Sequence, residues 1–329
     1  MRTSTVPRLP LVFAISAILA GCGAVTSTAP AVPSGAPFAV RTFDSTGSWM
    51  EPSAAKGDLL YVSDTRGSVD VFSYPSGKPA GVLRGFRNPA GLCADAKGNV
   101  FVVDSDALDI VKFRHGGTKP IKTLLMFGYY PFGCAVDPKT GDLAVANYIS
   151  QSQGPGSLSI FKAGESIPRS YTDSGMNAFY FCSYDDHSNV FVDGSDSGSR
   201  HTKFAVLANG SSTLTTVSVD KTITYPGGVR WDGTDLAVQD AATRMLYRFK
   251  MSGTSGKSVG TARFDGDKTT LETDLWIDGK TIVMPYGSVS RHVNKVGFWN
   301  YPDGGALQNS LTVKRAAELV GVTVSLAHR

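Results

Sequence analysis

Glutamate is nearly missing from this chain. Glu51, Glu165, Glu272 and Glu318 are its only glutamates in 329 residues. A metal cage or an acid–base pair built on glutamate therefore has little to draw on. Histidine is almost as scarce, with 5 scattered along the chain. No His-Glu-x-x-His occurs, which removes the simplest zinc-hydrolase reading; Gly256-Lys257-Ser258-Val259-Gly260 has the Gly-x-Ser-x-Gly spacing but no strand-to-helix context that would make it a nucleophile elbow. Long helical periodicity is absent too, which argues against a helical domain. What the chain has instead is 36 Gly, 17 Pro and 42% hydrophobic residues. That combination supports a core interrupted by many turns, and so an all-β domain.

The N-terminus carries a separate signal. Arg2 and Arg8 precede an apolar run from Leu9 to Ala20, followed by Gly21 and Cys22. The run is about 12 residues, whereas a spanning helix needs about 20. Leu19-Ala20-Gly21-Cys22 resembles the bacterial lipoprotein signal, in which the chain is cut before the cysteine and the thiol is lipidated. The resemblance implies a signal peptide over residues 1–21, lipidation of Cys22 with acyl chains such as palmitate, and a place in the cell envelope outside the cytoplasmic membrane. An ordinary secretory signal has a similar profile. Loss of Arg2 and Arg8 with the leader takes Lys+Arg from 32 to 30 against 28 acids, so the formal charge falls from +4 to +2. The basic balance therefore gives no reason to expect a nucleic-acid partner.

Residues 22–56 read as the lipidated cysteine and a flexible linker. Between Gly23 and Pro37 the chain is small, polar and proline-interrupted. Such a segment cannot bury a core, and if extended it reaches roughly 45 Å at about 3.1 Å per residue.

From residue 57 to 329 the chain repeats with a period near 45 residues. Pro89-Ala90-Gly91-Leu92-Cys93-Ala94-Asp95, a Lys97-Gly98-Asn99 turn and Val100-Phe101-Val102-Val103-Asp104 show the unit best. Pro131 to Asn147, Phe179 to Asp193, Pro226 to Asp240 and Asp274 to Tyr286 repeat it. A third strand then ends at a glycine turn, as in Leu158-Ser159-Ile160-Phe161 before Ala163-Gly164. Short strands at this period predict propeller blades. The first unit lacks its opening strand, and Val320 to Ser325 supplies one from the other end of the chain. The expected fold is an all-β, six-bladed β-propeller closed by a C-terminal strand. Strings such as Tyr61-Val62-Ser63-Asp64-Thr65-Arg66-Gly67-Ser68-Val69 resemble NHL-type repeats and, more loosely, the senescence-marker-protein/gluconolactonase group. That resemblance specifies fold better than function.

The gluconolactonase likeness implies a divalent metal held by Glu with Asn or Asp in the central channel, and no such set can be placed here. Two local motifs fail as well. Asp193 to Gly198 begins like a calcium loop but has Phe204 where the closing acid belongs, and Gly253 to Ser258 has Met251 where a phosphate loop needs glycine. Second strands end in Asp64, Asp104, Asn147, Asp193 and Asp240. A ring of such oxygens suits a hard cation such as calcium; the same residues also serve as backbone caps at strand ends. Longer loops follow the second strands of three units and are expected on one face, where insertions often mark a binding side. Asn147, Tyr148, Asp193, Asp196, Arg200, His201, Arg291 and His292 are the candidate ligand-binding residues, and the two Arg-His pairs suit an anion. Phe86, Tyr129, Tyr130, Phe179, Tyr180 and Tyr225 precede or open first strands, placed either to stack on a sugar or peptide or to pack between blades.

With Cys22 lipidated, Cys93, Cys134 and Cys182 remain. Cys134 and Cys182 stand three residues before Asp137 and Asp185, whereas Cys93 stands two before Asp95. Shared register favours a Cys134–Cys182 disulfide, with three buried thiols as the alternative. The functional expectation is a lipid-anchored scaffold that binds a small ligand or an envelope protein without catalysis. The alternative is a metal-dependent lactonase or esterase of the gluconolactonase-like type.

Overall fold

The apolar runs form strands, and the strands form short antiparallel meanders. A computed structural model describes residues 42–196, 198, 201–266, 273–288 and 293–327. Cys22, Arg200, Arg291 and His292 lie outside these described residues.

The first sheet draws on both ends of the chain. Strand β1 (Trp49–Met50) lies at its outer edge, followed inwards by β4 (Pro79–Arg84), β3 (Ser68–Ser73), β2 (Leu59–Asp64) and β25 (Leu319–Ser325). Strand β25 thus fills the missing inner place, pairing Leu59 with Ser325 and Val62 with Val322. The next meanders are local: β5 (Pro89–Ala94), β6 (Val100–Asp104), β7 (Asp109–Phe113) and β8 (Pro120–Leu125), then β9 (Tyr129–Val136), β10 (Leu143–Ser150), β11 (Pro155–Phe161) and β12 (Arg169–Tyr171). Strands β13 (Ala178–Tyr184), β14 (Val190–Ser195), β15 (Thr202–Leu207) and β16 (Thr215–Val219) follow. After them come β17 (Val229–Trp231), β18 (Leu236–Asp240), β19 (Met245–Ser252) and β20 (Ser255–Phe264). Last are β21 (Trp276–Asp278), β22 (Thr281–Ser288), β23 (Val293–Asn300) and β24 (Gly304–Thr312). Short parallel bridges join the rims of the last three meanders, at Ser218 with Ser255 and at Arg263 with Gly304.

Burial explains why second strands read as continuous apolar runs. Every residue of β2, β6, β14 and β18 is buried, because each sheet packs a neighbour on both faces. Outer strands such as β12 and β16 are mostly exposed and read as alternating or polar. The core lies between consecutive sheets. Leu59, Tyr61 and Val71 pack with Val100, Val102 and Phe113, and Leu60 and Val62 pack with Val283, Val296 and Phe298 at the last-to-first contact. The sheets therefore follow one another round an axis, with inner strands nearest to it.

The sequence assigns residues 22–56 to a linker, and the structure corrects this for residues 42–56. Trp49 and Met50 pair with Val82 and Gly81. The Phe43 ring meets Phe86 at 5.0 Å and Phe113 at 5.7 Å. This stretch has no periodic pattern of its own, because its apolar groups are buried only against other elements.

The cysteine expectation is also corrected. Cys93 pairs with Cys134, Cα to Cα 5.8 Å, and Cys182 is a buried free thiol. The register difference between Cys93 and Cys134 is real, but its meaning is the reverse of that expected. Neighbouring sheets in a ring meet with opposite faces, so a bond between them needs opposite registers. Cys93 and Cys134 point into the same interface, with Val103 and Val145. Cys182, in register with Cys134, points into the next interface, with Ala144 and Val192. The bond closes a loop with a sequence separation of 41. Its removal in a Cys93→Ala/Cys134→Ala chain is expected to cost about 2–4 kcal/mol in urea unfolding. Non-reducing peptide mapping should recover the Cys93 and Cys134 peptides as one species; a Cys182-containing disulfide would contradict the assignment.

Candidate functional site

Four of the inner strands, β5, β9, β13 and β25, bulge near the same place. Pro89 faces Asp104 and Leu92 faces Val102, leaving Ala90 and Gly91 against one residue. Tyr180 with Phe181, and Val320 with Gly321, repeat this in β13 and β25. A bulge bends the strand and redirects the chain before it. Here it brings the segments that open β5, β9 and β25 to the mouth, where Asn88, Tyr130 and Glu318 line the cavity.

Carboxylates at the ends of second strands hold those loops. Asp104 Oδ2 accepts from Arg87 N–H and its Oδ1 from Asn88 N–H, each at 2.8 Å. Asp240 accepts from Thr224 N–H at 3.0 Å and Tyr225 N–H at 3.3 Å. Asp64 Oδ1 accepts from Ala317 N–H at 2.8 Å. The strand-end Asp residues thus cap the approach to the inner strand of their own sheet. Among the described residues, no group of three or more His, Cys, Asp or Glu side chains is placed to hold a metal ion.

The result is an axial mouth of about 710 Å³. Its wall on one side is aromatic: Tyr130, Phe132, Tyr148 and Tyr225 line it. The rings form a continuous arc through the buried Tyr180, with centroids at 6.4 Å for Phe132–Tyr148, 5.3 Å for Tyr148–Tyr180 and 6.4 Å for Tyr180–Tyr225. The Tyr148–Tyr180 contact is edge-to-face and the other two are tilted, and together they fix the rings against one another. Tyr148 remains 39% exposed. The other side is polar, formed by Thr65, Asn88, Asp106 and Glu318. Asn88 Nδ2 donates to Asp106 Oδ1 at 3.4 Å. Glu318 is half-buried, and burial alone raises its carboxyl pKa.

Deeper along the axis, Asp274 accepts hydrogen bonds from Leu275 N–H at 2.8 Å and from Leu92 N–H. Burial pushes its carboxyl up to about 7, with the Arg230 guanidinium opposing that rise. Desolvation in turn lowers the Arg230 pKa, opposed by Asp274. An unfolded carboxylate titrates at about 3.9. The neutral form of Asp274 therefore stabilises the fold fully below about pH 4, and this contribution is lost as pH rises through about 7. The urea midpoint of the native chain should fall over that window, and Asp274→Asn should flatten the fall. A midpoint profile indifferent to the substitution would count against the buried-carboxyl assignment.

The candidate residues separate. Tyr148 lines the mouth. Asn147 is fully buried and donates from Nδ2 to Ser157 Oγ and Ser159 Oγ, both at 2.9 Å, tying β10 to β11. Asp193 is fully buried and its Oδ1 accepts from Phe181 N–H at 2.7 Å. Asp196 faces Lys203 Nζ at 3.7 Å beside a separate cleft of about 380 Å³ that also includes Asp173 and Thr216. His201 is exposed. Of the six aromatics, Tyr130 and Tyr225 reach the mouth, whereas Phe86 and Phe179 join the core. The structure adds Phe132, Asp106 and Glu318. Phe132 interrupts a Pro-x-Gly opening shared with Pro89-Ala90-Gly91, a readable signal; Glu318 has none beyond its place just before the closing strand.

Of the three longer loops expected on one face, the one joining β10 and β11 lines the mouth through Gln153, next to Ile149 of β10; Asp196 of the second lies beside the separate cleft, and residues 289–292 of the third lie outside the described residues. Thr65 of β2–β3, Ser105 of β6–β7 and Ala241 of β18–β19 also line the mouth. Among the described residues no helix is long and apolar enough to cross a membrane.

This architecture is that of a β-propeller, and comparison with solved structures agrees. The chain is similar to one in the crystal structure of a nidogen/laminin complex, with a TM-score of 0.62 at 14% identity over 83% of this chain and 100% of that one. It is similar also to a Bacteroides caccae protein of unknown function, with a TM-score of 0.61 at 10% identity over 82% and 99% of the two chains. Likeness at such identities shows the fold alone. No family model and no curated protein matches the chain.

Proposed function

We propose that this chain is a lipid-anchored, extracytoplasmic propeller of six blades that holds a ligand or protein partner in its axial mouth without chemically altering it. The mouth carries the reading: an aromatic arc faces a few polar groups across an open cavity, the usual composition of a recognition site. The six-blade count is supported by the antiparallel meanders and by the core clusters between them. One fold neighbour was crystallised as part of a nidogen/laminin complex, an example of a protein of this fold found in a protein assembly. The Leu19–Cys22 box supports the anchor and the envelope location, and residues 23–41 supply a tether.

Two measurements test this. Acyl labelling of the full chain in a bacterial host should mark the protein and be abolished by Cys22→Ala. A photo-reactive phenylalanine analogue at position 148 should cross-link one discrete envelope component, whereas the same group at Ile121, on the outer strand β8, should not. Absence of a position-148 adduct would remove the binding role. One stoichiometric divalent ion in the purified chain, with lactone hydrolysis, would replace the proposal by the lactonase alternative.

A further inference from the structure

The mouth has a charge pattern that narrows what it accepts. Its charged side chains among the described residues are Asp106 and Glu318, both acidic, and no Lys, Arg or His side chain lines it there. Asp106 has Asn88 as a neighbour. Glu318 differs: its backbone N–H bonds Asp64 and its carbonyl accepts from Thr65, but its carboxylate has no hydrogen-bond or ion partner among the described residues. A half-buried carboxylate without a counter-charge is costly to keep in a cavity. Across from it stands the aromatic arc of Phe132, Tyr148, Tyr180 and Tyr225. Aromatic faces carry negative quadrupole density and attract cations, most strongly where water is excluded. Both sides of the cavity therefore favour the same sign of ligand charge.

We propose that the axial mouth binds an ammonium or guanidinium group, with Glu318 as its counter-ion and the Tyr148 and Tyr225 rings as its cation–π walls. The group belongs either to a small organic cation or to a Lys or Arg side chain of a partner. This rests on the reading of the mouth as a binding site, and it turns the anion expectation drawn from the Arg-His pairs into its opposite at the axis. The volume of about 710 Å³ accommodates a side chain with its flanking backbone or a compact free cation.

Titration calorimetry on the purified full chain in detergent tests it with four probes. These are choline, the neutral isostere in which carbon replaces its quaternary nitrogen, a blocked tripeptide centred on arginine, and the neutral sugar maltose. Choline or the arginine peptide should bind and the neutral isostere should not. Preference between the two cations tells a free ligand from a side chain. Glu318→Gln keeps size and hydrogen-bonding capacity while removing the charge, and should weaken cation binding by about tenfold. Tyr148→Ala should do the same, and unchanged melting temperatures would show that neither variant acts through unfolding. Equal binding of choline and its isostere, or cation binding untouched by Glu318→Gln, overturns the proposal. Maltose binding that is lost in Tyr148→Ala but kept in Glu318→Gln overturns it too, yet leaves the mouth a ligand site. If no probe binds and position 148 gives no envelope adduct, the binding role falls as well.

Discussion

Deletion of residues 319–329 is expected to unfold the whole β domain, not to fray one end. Strand β25 is the inner strand of the first sheet and all seven of its residues are buried. Leu319, Val320, Val322 and Val324 are each 6% exposed or less. Removing four such side chains from the core costs roughly 6–12 kcal/mol at ~1.5–3 kcal/mol each. A domain of this kind is stable by about 5–15 kcal/mol in total, so the loss is of the order of the whole. The strand also carries polar ties that no substitute would remake. Gly321 N–H donates to Ser63 Oγ at 2.7 Å, and Ser63 Oγ donates on to Ala90 O in the next sheet. Ser325 Oγ contacts Gly98 O and lies 2.6 Å from His115 Nδ1. Without β25, the inner edge of β2 loses its partner strand at once. Circular dichroism and urea titration of the truncated chain should show no cooperative transition. A truncated chain that unfolds cooperatively at the native midpoint refutes this account of closure.

The second large effect is expected at Gly133. A Cβ built there falls 2.3 Å from Tyr180 O and 3.0 Å from Phe181 Cα. Both are backbone atoms of the next inner strand, so no rotamer change relieves the overlap. Gly91 repeats the situation, with Phe132 O at 2.5 Å, and Gly321 does so with Ala90 O at 2.3 Å. These glycines are not chosen for positive φ. They are chosen because inner strands converge on the axis until backbone meets backbone. Gly133→Ala should therefore cost about 3 kcal/mol or more, the upper range for overpacking, because the strand must shift. Gly57→Ala is the matched control: its φ is −131° and nothing lies within 4 Å of the added methyl. Equal stability of the two variants would show that the inner strands yield more easily than their packing suggests.

The same convergence explains what was hard to read. The Pro-x-Gly openings at Pro89 and Pro131 are plain in the sequence, but the need for glycine comes from a neighbouring strand some 40 residues away. The cysteines teach the same point. Their registers follow from their spacing to Asp95, Asp137 and Asp185, yet only the ring arrangement makes opposite registers the matching ones. The strand-end carboxylates offered two readings, and Asp64, Asp104 and Asp240 accept backbone N–H groups, the capping one. Tyr130, Tyr148 and Tyr225 were legible as candidates because they stand at loop-to-strand junctions. Glu318 was not, since a lone acid before a strand looks like any other until β25 carries it across to face them.

Local pattern alone determined that this chain is all-β, repeats near 45 residues and lacks the opening strand of its first unit. Those features follow from side-chain periodicity and turn chemistry, which act over a few residues. The disulfide partner, the inclusion of residues 42–56, the glycine requirement at the axis and the make-up of the mouth were decided by tertiary structure. Each depends on which face of one sheet meets which face of the next, and distant segments enter that contact only once the chain has closed on itself.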